Sequence, residues 1–69
     1  MATLHELRIE AGLSIHRLAQ LADVDRNTVT RAEEGRPIQE VKAYAIVQAI
    51  ARQLGRSIKL SEVDDLQVL

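Results

Sequence analysis

Between Leu18 and Gly35 the chain reads Leu-Ala-Gln-Leu-Ala-Asp-Val-Asp-Arg-Asn-Thr-Val-Thr-Arg-Ala-Glu-Glu-Gly, and no other stretch restricts the fold as strongly. It predicts two short helices joined by a tight turn. Leu18, Ala19 and Ala22 fall on one face of the first helix, Val24 closes the turn, and Val29 and Ala32 anchor the second at a three-residue interval. Helices that cross steeply after so short a turn bring their backbones close, and Ala19 leaves room for the approach. Asp23 stands where the turn needs a left-handed backbone residue, which Asp accepts at modest cost. Asp25 precedes the second helix with a carboxylate able to cap its free N–H groups, and Gly35 stands where a left-handed C-terminal cap belongs. The polar residues Arg26, Asn27, Thr30 and Arg31 are left on the outward side.

More helix is expected on both sides of this unit. Thr3-Leu-His-Glu6 is a capping-box pattern, and Leu4, Leu7 and Ala11 continue at helical spacing to a stop at Gly12. Ser14 can cap the second helix, over about 15–22, and the third runs over about 26–34. Arg36-Pro37-Ile38 makes the link to a fourth helix, with Pro37 before it or in its first turn. In that helix Val41, Tyr44, Val47, Ile50, Ala51 and Leu54 repeat at three and four residues before Gly55, predicting the back wall of the core. Ser57 to Leu60 alternates like a short extended piece, and Ser61-Glu-Val-Asp64 could start one or two further helical turns.

The chain has 69 residues, 46% of them hydrophobic but with Tyr44 the single aromatic, so its core must be Leu, Ile, Val and Ala packed helix on helix. The expected class is all-α, a compact bundle of five helices in one domain over 1–69. A domain of this size buries only roughly 60% of the surface its unfolded chain exposes, so association of subunits would add stability.

Several chemistries find no support. With no Cys there is neither a disulfide framework nor a thiolate metal site. No apolar run approaches the ~20 residues needed to cross a bilayer, and no signal-like segment opens the sequence, so a cytoplasmic protein is expected. His5 and His16 lack a second ligand at a metal-binding spacing, and Ser14 with His16 and an Asp lacks a pocket to work in. The expectation is a non-enzyme without catalytic residues, metal or cofactor.

A net charge of −1 argues at first against nucleic acid, because affinity for DNA comes largely from Lys and Arg displacing condensed counterions. The distribution answers this in part. Glu62, Asp64 and Asp65 lie in the last eight positions, while Arg17, Arg26, Arg31, Arg36 and Lys42 gather around the third helix. Two short helices with a tight turn and a polar second helix are the outline of a helix-turn-helix, the second helix being the one that enters the major groove.

From Leu4 to Gly35 the chain resembles the Cro and phage-repressor (XRE) family of helix-turn-helix proteins. The matching pieces are Leu-x-x-Leu-Arg from Leu4 to Arg8, Ala-Gly-Leu-Ser from Ala11 to Ser14, Leu18-Ala19, Val24, and Thr-Val-Thr-Arg-Ala-Glu-Glu-Gly from Thr28 to Gly35. The resemblance implies a lambda-repressor-like fold with the helix-turn-helix at about 14–35, and places base readers at Arg26, Asn27 and Thr30 first. It also implies an ion pair between Arg8 and Glu33 that ties the first helix to the third. The family usually has Gln at the first position of the second helix, touching phosphate; here that position is Ile15.

The residue chemistry suits this reading. Arg26 and Arg31 could each donate two hydrogen bonds to guanine, Asn27 could pair bidentately with adenine, and the Thr30 methyl could touch that of thymine. Phosphates are held by basic side chains, hydroxyls and helix N-termini, which makes Ser14, Arg17, Thr28, Arg36 and Lys42 the backbone candidates. Ile58, Leu60, Val63, Leu66 and Val68 in the extension over 56–69 either complete the monomer core or form a patch between two subunits. A homodimer is expected, because one recognition helix reads only a few base pairs and such domains bind paired half-sites roughly 34 Å apart. The expected partner is double-stranded DNA and the expected role is a repressor of transcription. Two rivals remain: an antitoxin whose last dozen residues hold a toxin partner, and a protein-interaction module that has lost DNA binding.

Overall fold

The computed structural model describes residues 2–69 and contains four α-helices. Three of them start on caps written locally in the chain. Ahead of α1 (Leu4–Glu10), Thr3 Oγ1 accepts from the Glu6 amide while Glu6 Oε1 accepts from the Thr3 amide, a complete capping box. Ahead of α2 (Ile15–Ala22), Ser14 Oγ accepts from the Arg17 amide at 3.0 Å. Ahead of α3 (Arg26–Glu33), Asp25 Oδ1 accepts from the Thr28 amide at 2.7 Å. The fourth, α4 (Glu40–Leu54), begins at Gln39 with no side-chain cap bond.

All four helices finish alike. The residue just past each helix or its cap, namely Gly12, Asp23, Gly35 and Gly55, has a positive φ between 58° and 78°. The next amide then reaches back five residues: Leu13 to Arg8 O, Val24 to Ala19 O, Arg36 to Arg31 O and Arg56 to Ala51 O, at 3.0 to 3.1 Å. Asp23 is the one member of the four with a side chain, and it forms the turn of the helix-turn-helix.

The core joins Leu4, Leu18, Val29, Ile46, Val47 and Ile50, with α2 against both α3 and α4. Ala19 is buried in α2, and Val24 is half-buried against the core. In α4 the buried stripe is Ala43, Ile46, Val47, Ala49, Ile50 and Ala51. This corrects the expected back wall at two positions, since Val41 is 80% exposed and Tyr44 57%. Spacing alone favours the larger apolar side chains; packing selects the row headed by Ala43, whose small side chain lets neighbouring helices approach.

The five-helix count is also corrected to four. After Gly55 the chain makes a single 3-10 turn, Leu60–Glu62, and then runs extended, forming parallel bridges Ala2 to Val63 and Ile38 to Val68. A fifth helix would need the backbone groups of this segment for itself. They are instead bonded across the molecule: Asp64 N donates to Ala2 O, Ile38 N to Gln67 O and Leu69 N to Ile38 O. Asp65 Oδ1 adds a tertiary cap by accepting from the Leu4 amide at 2.9 Å. Ile58 and Val63 are each 4% exposed, and Leu60 and Leu66 pack half-buried against the core. Four of the five apolar tail residues thus serve the core of their own chain, with Val68 left 44% exposed.

Candidate nucleic-acid interface

One side of α3 is buried through Thr28, Val29 and Ala32, which leaves Arg26, Asn27 and Arg31 exposed and Thr30 half-exposed on the other. Asn27, Thr30 and Arg31 line a single shallow groove together with Glu34 and Arg36. Arg26 opens the same helix in solvent. The four side chains whose chemistry suits base edges therefore share one accessible face, and Arg31 is held along it by its Nε donating to the Asn27 carbonyl at 3.4 Å.

The phosphate candidates differ in their freedom, and Arg36 and Lys42 share hollows with residues of α3. Ser14 uses its Oγ as the α2 cap acceptor, which leaves its hydroxyl proton available. Arg17 is exposed, with Nη1 at 3.5 Å from Gln20 Oε1. Arg36 faces Glu34 at 3.6 Å, so part of its charge is answered inside the groove. Lys42 borders a hollow shared with Thr28, Arg31 and Pro37, beside the start of α3.

Thr28 is a correction. It is 2% exposed, and its Oγ1 donates to Asp25 Oδ1 at 2.5 Å, so its side chain braces the start of α3 and does not reach a phosphate. The physical sense is a doubled cap, one carboxylate oxygen taking both the amide and the hydroxyl of Thr28. Those two bonds, the side-chain one foremost, hold the Asp25 carboxyl below the usual carboxylate range, with Lys42 and Arg31 adding to the effect.

Arg8 and Glu33 meet as an ion pair between α1 and α3. Arg8 Nε donates to Glu33 Oε2 at 2.5 Å, and its Nη1 donates to the Leu13 carbonyl at 2.9 Å, so the guanidinium joins α1, α3 and the turn after α1. His5 was not expected in this cluster, yet its Nδ1 lies 3.0 Å from Glu33 Oε1 and 3.2 Å from Arg8 Nη2. The available signal was its spacing of three from Arg8, which puts both on one face of α1. Burial by itself would raise the Glu33 pKa, but hydrogen bonds from Arg8 and His5 and the Arg8 charge outweigh it and hold it low.

The helix, turn and helix over α2 and α3 form part of a longer match: a model of the helix-turn-helix domain family covers residues 2–60. The chain belongs to the helix-turn-helix domain family. No curated protein and no solved structure matches it. In this helix-turn-helix protein the match takes in α1 and α4 as well as the central pair, so the packing that presents α3 belongs to the family unit. Ile15, at the start of α2, is half-buried against the core, an apolar anchor where the XRE resemblance has a phosphate-touching Gln. Glu34 is the groove residue that the sequence reading did not single out, although its spacing of four from Thr30 and three from Arg31 puts it on their side of the helix. Among the described residues no helix is long and apolar enough to cross a membrane, and no group of three or more His, Asp or Glu is placed to hold a metal ion.

Proposed function

We propose that this helix-turn-helix protein is a sequence-specific, DNA-binding regulator of transcription of the Cro and phage-repressor (XRE) kind. It acts as a repressor by occupying a partly palindromic operator as a homodimer. The observation that carries the reading is the outward face of α3, where Arg26, Asn27, Thr30 and Arg31 are accessible while Val29 and Ala32 hold the helix from behind. Arg and Asn supply the bidentate donors and acceptors that distinguish base pairs in the major groove, and Thr supplies a methyl. Ser14, Arg17, Arg36 and Lys42 are the groups available for phosphates on either side.

Enrichment of bound duplexes from a random pool, carried out at low and at near-physiological salt, tests this directly. A two-fold motif with half-sites about one helical turn apart is expected, with affinity falling as salt rises. Absence of any enriched sequence at either salt would overturn the proposal.

A second reading, a protein-interaction module without DNA binding, draws on Glu34 in the groove, on Ile15, and on the net charge of −1. A carboxylate among the readers repels phosphate unless it accepts from a cytosine amino group. The same enrichment separates the two. The antitoxin variant relies on the tail as a toxin-binding segment, and the burial of Ile58 and Val63 in the chain's own core leaves less of that tail to offer.

A further inference from the structure

The exposed side of α4 has an arrangement that reading DNA does not use. Val41 and Tyr44, with Glu40 and the half-buried Leu60, line one mostly apolar hollow. At helical spacing Glu40, Tyr44, Gln48 and Arg52 form one row, with Val41 and Ala45 beside it. Tyr44 and Gln48, flanked by Val41 and Ala45, are therefore bounded by a carboxylate at the N-terminal end and a guanidinium at the C-terminal end. Twelve positions, about 18 Å of helix, separate the two charges. Among the described residues neither Glu40 nor Arg52 takes part in an ion pair.

We infer that this face pairs two copies of the chain, α4 lying antiparallel on α4 about a two-fold axis midway between Tyr44 and Gln48. That arrangement sets Glu40 of each chain against Arg52 of the partner subunit and buries Val41 and Tyr44 between them. A parallel pairing would set like charges together at both ends, which is disfavoured. The charge pattern is thus self-complementary in one orientation, as a two-fold interface requires.

The face also lies in a useful place. Lys42, on the opposite side of α4, borders a hollow with Thr28 and Arg31, so pairing through the Glu40–Arg52 row leaves that hollow uncovered. The inference deepens the homodimer of the proposed function, and rests on that reading only for the joint use of two recognition helices. The chain exposes 4254 Å², of which a standard interface would take about 800 Å² per partner, roughly a fifth. One helix face with a 3-10 turn beside it falls short of that. The dimer should therefore be weak, dissociating on the order of micromolar, and tightened by a duplex that presents two half-sites.

Sedimentation equilibrium of the full chain from micromolar to millimolar concentration tests the pairing. A monomer–dimer equilibrium is expected, with Tyr44→Glu, Glu40→Arg and Arg52→Glu each raising the dissociation constant at least about tenfold. The double reversal of Glu40→Arg with Arg52→Glu should return it toward the original value. All three side chains are exposed, and melting curves separate loss of pairing from loss of folding. A chain monomeric throughout, a Tyr44→Glu variant that pairs unchanged, or a double reversal no better than the singles would each overturn the inference. A duplex arm keeps the two proposals apart. If the chain pairs as described but retains no duplex, the DNA reading fails and the pairing stands; if a half-site duplex is bound by a chain that never pairs, the reverse holds.

Discussion

At the scale of single residues, the turn of the helix-turn-helix rests on an aspartate doing what glycine does at the other three helix ends. Asp23 sits at φ 58°, a conformation that costs an L-residue free energy which glycine avoids. Replacing it with Gly should raise stability by up to about 1 kcal/mol, and replacing it with Ala should lower it by about as much; urea midpoints of the three proteins check this. On α3, Arg26→Ala or Asn27→Ala should each cost about 1 to 3 kcal/mol at one operator position and relax preference there, read by enrichment from a random duplex pool. Unchanged preference would remove that residue from the readers. Thr28 shows how a polar residue one place along from Asn27 takes a different part, because its hydroxyl turns inward to Asp25.

At the scale of elements, the crossing of α2 and α3 depends on small side chains. Ala19 is buried, and Ala19→Leu should destabilise the fold by roughly 1 to 3 kcal/mol through overpacking, seen as a lower thermal midpoint. The caps also link element stability to pH. Glu6, bonded to the Thr3 amide and hydroxyl, Asp25, bonded to the Thr28 hydroxyl and amide, and Glu33, bonded to Arg8 and His5, are all held below their ordinary pKa values. A carboxylate with a depressed folded pKa binds fewer protons folded than unfolded, so its stabilisation is full above the unfolded value and fades as pH falls through the folded one. Melting midpoints should therefore hold near neutrality and drop once pH passes below about 4.5, the ordinary value for Glu6 and Glu33. A midpoint that stayed level down to pH about 3 would refute the assignment.

At the scale of the whole molecule, the tail is a strap over the bundle. It touches the N-terminal segment at Ala2 and Leu4 and the α3–α4 link at Ile38, so it braces both ends of the unit that presents α3. Ile58→Ala should cost about 2 to 5 kcal/mol, a large share of the 5 to 15 kcal/mol typical of a native fold, measurable by denaturant unfolding. A loss of less than about 0.5 kcal/mol would mean that the tail is not part of the cooperative core.

Helix starts, helix ends and the polar face of α3 were legible in the sequence, because each is settled by residues within about five positions of one another. Thr3 with Glu6, Ser14, Asp25 with Thr28, and Gly35 place their elements wherever the chain is later packed. The tertiary structure alone decided which row of α4 is buried, that Thr28 turns inward, that Asp65 caps a helix 61 residues earlier in the chain, and that the tail runs extended. Those outcomes depend on which surfaces come into contact, and local spacing carries no information about a partner that is distant along the chain.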